Sequence, residues 1–406
     1  MKIRSITYFL DPGWPLDEQK LRAAGHFLAQ AKSAYEAAGF EVQTTRLATV
    51  SFVRLLGEKR LSELPRLASS LAAAIQEIGV AYASLGPALP EALRSYDLIP
   101  EAIAASENIF FGGVMAGRDG DLSLAAVRAC AGIITRLAPL QPDGFANLRF
   151  AALANVPPAA PFFPASYWES DQPSFAIATQ AADLAVEAFN DGRSVDQARV
   201  VLTNSLQDHA RRIEAVASDL KFHAGLGFEG IDFSLAPFPD ASCSLGAAVE
   251  RAGVPRIGQH GSLAAAALIT ETIERASFHR TGFSGFMQPI LEDSVLTERA
   301  AQGILTIKDL LLYSAVCGTG LDTIPLPGDT SPEQIAPLLL DLCALALRLD
   351  KPLTARLMPI PGKAVGDATN FDFGYFANGR VMSLEASPLQ GALAGYETFH
   401  LRSRSV

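Results

Sequence analysis

The chain has 406 residues, of which 49% are hydrophobic and only 19% charged, and its mean hydropathy is +0.20. This composition is sufficient for a large buried core. The low fraction of charged residues favours a homo-oligomer, in which a second copy covers apolar surface. A net charge of −10 with no run of Lys and Arg argues against nucleic-acid binding and against docking on acidic membranes.

The N-terminal half alternates between strand and helix patterns. Strands are predicted at Ile3–Leu10, Phe40–Leu47, Val80–Ser84, Ile109–Val114 and Leu148–Ala154. Helices are predicted at Pro15–Ala38, Leu61–Ile78, around Glu101 and at Leu122–Leu137. A loop rich in Pro and aromatic residues follows at 156–164, and a loop of this kind is more often functional than not.

The C-terminal half shows the same alternation. Its predicted helices are Ser194–Ala224, Cys243–Ala252, Ser262–Ala276, Thr306–Tyr313 and Pro332–Leu349. Its predicted strands are Gly230–Leu235, Leu321–Ile324, Leu353–Leu357, Phe371–Phe376 and Val381–Ser383. Repeated alternation indicates an α/β fold. Length alone would suit two or three domains, whereas a closed α/β barrel accommodates it as one.

Compartment and cofactor follow from what the sequence lacks. The four cysteines form no C-x-x-C pair, and no apolar span reaches the roughly 18 residues of a membrane helix. The first apolar stretch is too short for a signal peptide, so we predict a cytoplasmic protein. There is no GxGxxG or phosphate-loop motif, and the sequence requires no cofactor. A divalent metal held by carboxylates remains open.

Two motifs place reactive groups at the ends of predicted elements. Asp232 and Ser234 lie on one face of a strand that runs into Pro237, where Asp232 is either a pocket acid or a turn cap. His260 lies between Gly258 and Gly261 before a helix, where backbone N–H groups gather. It is either a catalytic base or a structural histidine.

Two further motifs carry a thiol and basic groups. Cys317 and Asp322 flank a glycine-rich turn, and Cys317 is either a nucleophile or a small buried hydrophobe. Arg356 and Lys363, on either side of a Pro-x-Pro turn, form a candidate pair for a carboxylate or phosphate, or a solvated basic loop. Arg46, near the end of an early strand, is a similar candidate.

These motifs, in this order, resemble the prokaryotic family known as domain of unknown function 711. The resemblance is carried by Asp232-Phe-Ser-Leu-Ala-Pro, Gly258-x-His260-Gly261, Cys317-x-x-Gly320-Leu321-Asp322 and Pro359-x-Pro361-Gly362-Lys363. In the N-terminal half it is carried by the first strand, Thr45-Arg46, and Asn155 with the loop at Pro161-Phe162.

The resemblance implies a fold related to the pyruvate formate-lyase-like glycyl radical enzymes. That fold is a ten-stranded α/β barrel with helices outside, a single domain of two halves at about 1–192 and 193–406. A loop inside the barrel carries a cysteine, to which Cys317 is similar. The signature of a radical-bearing glycine is absent near the C-terminus, so no glycyl radical is expected.

We therefore predict an enzyme, a lyase or hydrolase that acts on a small anionic metabolite inside the barrel. His260, Cys317, Asp322 and Asp232 are its candidate catalytic residues. Arg356, Lys363, Arg46 and Asn155 are its candidate substrate-binding residues. The alternative is a metabolite-binding or regulatory protein that kept the barrel and lost catalysis.

Overall fold

A computed structural model describes residues 1–190 and 192–404. Its strands are β1 Lys2–Leu10, β2 Val42–Ser51, β3 Tyr82–Ala88, β4 Ile109–Ala116, β5 Asp121–Ser123, β6 Phe150–Ala154, β7 Ser174–Gln180, β8 Gly227–Ala236, β9 Gly320–Pro327, β10 Leu353–Ile360 and β11 Thr398–His400. Its helices are α1 Glu18–Ala37, α2 Phe52–Leu56, α3 Leu64–Glu77, α4 Arg94–Asp97, α5 Ile99–Ala104, α6 Leu124–Leu137, α7 Ala182–Ala188, α8 Val195–Ala224, α9 Leu245–Arg251, α10 Ser262–Arg275, α11 Ser294–Ala301, α12 Ile307–Ser314 and α13 Pro332–Arg348.

One large sheet organises the described residues. Its strands lie in the order β8-β7-β1-β2-β3-β4-β6-β10-β9, and β5 joins β4 to β11. The five strands β1, β2, β3, β4 and β6 are adjacent in the sheet and parallel to one another. β7 runs antiparallel to β1, and β10 runs antiparallel to β6. The C-terminal ends of β8 and β10 therefore lie at the same edge as the N-terminal ends of the five parallel strands.

Local sequence explains where the main helices begin and end. The Asp17 side chain accepts hydrogen bonds from the first backbone N–H groups of α1, at 2.9 and 3.1 Å. Ser194 and Gln197 form a capping box at the start of α8, and Gly225 ends that helix with a φ of 66°. The helices cover the sheet, so β6 and β10 are buried along their whole length.

Two predicted strands are wrong. Segments 371–376 and 381–383 form no strand, although their aromatic and apolar residues suggested one. Phe371, Phe373 and Phe376 instead pack around Phe145, with ring centroids 5.1 to 6.2 Å apart. Their backbone is held by the Asn378 side chain, which accepts from the N–H of Phe371 at 2.7 Å. Here the aromatic spacing reflects a side-chain cluster, and tertiary packing overrides strand propensity.

The predicted α/β class is confirmed, with a large sheet and helices around it. The described residues contain eleven strands, where ten were predicted. β8 and β9 are the outermost strands of the main path, and strand pairing does not show the predicted barrel closure. The backbone between them contacts both: Ile231 N–H donates to His279 at 2.8 Å, and Ile290 N–H donates to Asp322 at 3.0 Å.

In the part of the chain that the structure describes, no helix is both long enough and apolar enough to cross a membrane.

Candidate active site

A cavity of about 410 Å³ lies at the edge of the sheet where the parallel strands begin. This volume falls in the usual range for small-molecule sites. Its walls come from the starts of β1 to β4, the ends of β7 and β8, the middle of β10, the loop at 161–163 and the segment at 373–375. The sequence predicted a functional role for that loop, and three of its residues line the cavity: Pro161, Phe162 and Phe163.

Two arginines of the cavity wall are held by buried carboxylates. Arg356 donates from Nε to Asp322 at 2.5 Å and from Nη2 to Glu292 at 2.8 Å. Arg4 forms a short ion pair with the other oxygen of Glu292. The side chains of Arg356, Glu292 and Asp322 are at most 6% exposed, so these charges are largely removed from water. Glu292 connects β1 to β10, and Asp322 connects β9 to the same network through Arg356.

Two further arginines line the cavity. Arg149 donates a short hydrogen bond to the Ser106 carbonyl, and the charge of Glu107 stabilises its cation. Arg46 has no carboxylate within ion-pair distance among the described residues. Its Nε donates to the Thr44 hydroxyl at 3.0 Å, and its guanidinium carbon lies 5.0 Å from the centre of the Phe163 ring. Burial lowers the pKa of Arg46 to about 9, and the nearby positive charge of Arg4 acts in the same direction. A bound anion would relieve this unbalanced charge.

Asp232 is a buried carboxyl group of the same cavity wall, in the second half of β8. It accepts hydrogen bonds from the backbone N–H groups of Phe283 and Ser284, at 3.0 and 2.9 Å, and a short one from the Ser234 hydroxyl. Gly282 has a φ of +64°, and a Cβ there would lie 2.1 Å from Asp232, so the turn requires glycine.

Burial raises the pKa of Asp232, and the hydrogen bonds from Ser234, Phe283 and Ser284 oppose that shift. The predicted common face of Asp232 and Ser234 is confirmed by their hydrogen bond. A carboxyl group with a raised pKa that lines a cavity is chemically suited to exchange a proton with a ligand.

Asp322 lies behind Arg356. Its second oxygen, Oδ2, is buried and has no hydrogen-bond partner in the described chain. Burial raises the pKa of Asp322 and the charge of Glu292 adds to the effect, whereas Arg356 lowers it. Asp322 therefore contacts the arginine that lines the cavity and helps to position it.

The structure thus brings together four of the eight predicted residues: Asp232, Arg46 and Arg356 on the cavity wall, and Asp322 bonded to Arg356. The other four, His260, Cys317, Lys363 and Asn155, are not among the residues that line it.

Each of these four residues occupies a different environment. His260 is exposed before α10. Cys317 is fully buried against Gln288 at 3.6 Å, and burial raises its thiol pKa, which disfavours the nucleophilic thiolate. Lys363 lies in the turn after β10, where its backbone N–H donates to Ile360. Asn155 donates to Asp350 at 3.2 Å, after the end of β6.

Sequence reasoning missed Arg4 and Glu292. The charge of Arg4 inside the predicted strand Ile3–Leu10 was a usable signal, because a buried charge needs a partner. Glu292 lies between β8 and β9 in a segment without periodicity, and no sequence signal identified it. Among the described residues, no group of three or more His, Cys, Asp or Glu is arranged to hold a metal.

The family model for "Uncharacterised ACR (DUF711)" matches residues 1–378. The chain belongs to this family. All residues that line the cavity fall within the matched region of this DUF711 protein, whereas β11 lies beyond it.

Relatives named UPF0210 protein come from archaea and bacteria. The chain is 35% identical to one from Pyrobaculum arsenaticum over 315 residues, which cover 75% of this chain and 66% of the relative. It is 30% identical to one from Acetivibrio thermocellus over 298 residues, covering 70% and 65%. It is 28% identical to one from Desulforudis audaxviator over 369 residues, covering 86% and 81%. The alignments to three Pyrobaculum relatives span 59 to 66% of those proteins' own length.

Proposed function

We propose that this DUF711 protein is a cytoplasmic enzyme, a lyase or hydrolase, which binds a small anionic metabolite in the cavity. The supporting observation is the charge arrangement at Arg46. Arg4 and Arg356 are neutralised by Glu292 and Asp322, whereas the Arg46 guanidinium meets only a hydroxyl and an aromatic ring. A carboxylate is the group that a planar guanidinium binds through two parallel hydrogen bonds.

Asp232 is the acid–base group of this proposal. It lines the same cavity as Arg46, and its raised pKa favours a protonated carboxyl that can donate a proton to a leaving group. Once ionised, the same group can take a proton from water or substrate. A lyase that removes a group from a carboxylate substrate, or a hydrolase that cleaves such a substrate with water, needs this transfer of a proton. Neither reaction needs a redox cofactor. His260 and Cys317 have no role in the proposed reaction.

The proposed architecture is the closed barrel of the pyruvate formate-lyase-like enzymes, with the cavity at one of its ends. Its support is the segment between β8 and β9, which hydrogen-bonds to Ile231 near one edge of the sheet and to Asp322 near the other. A homo-oligomer is the proposed assembly because the chain carries few charges for its size.

A second candidate, a metabolite-binding protein without turnover, is favoured by the bonding of Asp232. Both of its carboxyl oxygens already accept hydrogen bonds from the 281–284 turn or Ser234. An aspartate bonded in this way also serves to hold a turn in place. The two candidates share the anion site at Arg46 and differ in what Asp232 does.

The test of the anion site compares wild-type protein with Arg46→Gln. Small carboxylates and phosphate, with and without Mg²⁺ or Mn²⁺, are screened by thermal shift, and the compounds that bind are measured by calorimetry. We expect Arg46→Gln to weaken binding about tenfold to a hundredfold, the worth of one charged hydrogen-bonded contact. Arg211→Gln is the matched control, since Arg211 is exposed and pairs with Asp208 on α8. Equal affinity in both variants and wild type would refute the site.

A turnover assay separates the two candidates. The compounds that bind are incubated with wild type and with Asp232→Asn, and products are followed by mass spectrometry. For an enzyme, we expect wild type to convert at least one compound, and Asp232→Asn to bind it but convert it at least about a hundredfold more slowly. Binding without conversion by wild type would favour the second candidate.

A further inference from the structure

The cavity contains a second kind of surface beside its arginines. Seven aromatic residues line it: Tyr82, Phe110, Phe145, Phe162, Phe163, Phe373 and Tyr375. A site for a small polar anion such as phosphate needs no such wall, because the anion has no apolar surface that could pack against the rings. The aromatic lining therefore points to an apolar part of the ligand.

Five of the seven rings fall into two groups. Three of them lie beside the arginines: Phe163 by Arg46, Phe162 by Arg356 at 5.8 Å, and Tyr375 by Arg4 at 5.7 Å. These contacts orient the guanidinium groups. Phe145 and Phe373 pack edge to face at 5.1 Å, and the structure records no cation over either ring. Both are only partly buried, so their remaining surface is available to a ligand.

The charges of the site set the number of anionic groups in the ligand. Arg4 and Arg356 are balanced by Glu292 and Asp322. The fourth arginine of the wall, Arg149, donates to the Ser106 carbonyl and is stabilised by the charge of Glu107. Arg46 faces the positive charges of Arg4 and Arg356 as well, so it is the guanidinium of the wall that most needs an anion. One carboxylate fits this arrangement better than two.

We propose that the ligand is a monocarboxylate bearing an aromatic ring, with the carboxylate on Arg46 and the ring against Phe145 and Phe373. This inference rests on the proposed anion site and adds the chemical class of the substrate. A cavity of about 410 Å³ has room for a phenyl ring joined to a carboxylate by one to three carbons. Asp232 lines the same cavity and is the acid–base group available to such a ligand.

The test measures affinity by calorimetry for phenylacetate and 3-phenylpropionate against acetate and propionate, with benzylmalonate as the dianion. We expect a phenyl-bearing monoanion to bind at least about tenfold more tightly than its alkyl counterpart, because the ring leaves water. Benzylmalonate should bind no better than 3-phenylpropionate. Phe373→Leu should weaken binding of the phenyl compound at least about fivefold and leave that of acetate within about twofold.

The controls keep this inference separate from the proposed function. Phe222→Leu, at a ring that is 84% exposed on α8, should change neither affinity. If acetate and phenylacetate bind equally, and both depend on Arg46, the aromatic inference is overturned and the anion site stands. If no carboxylate depends on Arg46, both fail. If Phe373→Leu leaves phenylacetate affinity intact, Phe145→Leu is measured as well, and an unchanged value there overturns the placement of the ring.

Discussion

Arg46 and Asp232 line one cavity with opposite electrostatic costs. Arg46 is a cation that burial and Arg4 destabilise, and Asp232 is a carboxyl group that burial drives towards its neutral form. An anion that binds Arg46 balances the buried positive charge. Protonation of Asp232 removes the buried negative charge, and with it the repulsion between Asp232 and the anion. The site therefore favours an anionic ligand together with one proton.

This coupling predicts a pH dependence of ligand affinity. Below the raised pKa of Asp232 the carboxyl is neutral, and above it the carboxylate repels an anionic ligand. Affinity for a carboxylate should thus fall about tenfold as the pH rises through that pKa, the size of a like-charge interaction across a partly screened cavity. Calorimetry at constant ionic strength, in a pH series that starts at the ordinary aspartate pKa of about 3.9 and runs upward, measures the change.

Two variants test the assignment of this pH dependence to Asp232. Ser234→Ala removes a hydrogen bond that lowers the pKa of Asp232, so the midpoint should move to higher pH. Asp232→Asn cannot ionise, and its affinity should show no such step once its folding is verified by circular dichroism. A step of unchanged size and midpoint in both variants would assign the titration to another group.

At the scale of elements, Glu292 connects strands that are far apart in sequence. It accepts from Arg4 on β1 and from Arg356 on β10, and Arg356 also binds Asp322 on β9. Because all four groups are largely buried, each charge depends on its partners for the solvation that water no longer supplies.

Glu292→Gln is therefore expected to destabilise the protein strongly. The amide leaves two buried guanidinium groups with too few negative charges, at a cost of about 3–5 kcal/mol in the free energy of unfolding. Urea denaturation followed by circular dichroism gives this value. Glu298→Gln is the control, because Glu298 is exposed and its ion pair with Arg299 should be worth less than about 1 kcal/mol. A loss below about 1 kcal/mol for Glu292→Gln would show that water still solvates the network.

The same scale shows what the sequence could predict. Strands β1, β4 and β10 were predicted because each is a short apolar run beside a helix pattern, and a buried parallel sheet produces that signal. β7, Ser174–Gln180, was missed because it follows a long loop directly. The alternation of strand and helix patterns, from which the other strands were predicted, is interrupted there. Residues 371–376 were assigned to a strand because aromatic residues also alternate in a cluster.

The site was only partly predictable for a related reason. Asp232 and Arg356 stood out because each is a charged residue in a strand-like segment next to proline. The partnership of Arg356 with Glu292 spans 64 residues, and that with Asp322 spans 34, and neither has a local pattern. His260 and Cys317 lie beside glycines, but those glycines serve close backbone packing. A Cβ at Gly258 would lie 2.4 Å from Ile304, and one at Gly318 would lie 3.0 Å from Gly285.

At the scale of the whole molecule, the chain after β10 does two separate things. Residues 373–375 return to the cavity, where Phe373 and Tyr375 form part of its wall. Residues after 390 pass along α6, where β11 pairs with β5 and Leu124 N–H donates to Glu397. The family match also ends between these two parts, at residue 378.

Removal of every residue after Gln390 should therefore separate stability from ligand binding. The deletion takes away β11, a strand of three residues with two exposed side chains, and leaves both aromatic residues of the cavity in place. We expect a loss of about 2–5 kcal/mol in unfolding free energy, from a few backbone hydrogen bonds and from the packing of Phe399 and Leu401 against the core. Carboxylate affinity should stay within about twofold of wild type. Denaturation and calorimetry on the same preparation measure both quantities. A large loss of affinity with little loss of stability would mean that the last residues act on the cavity itself, and the aromatic wall would then have to be extended beyond Tyr375.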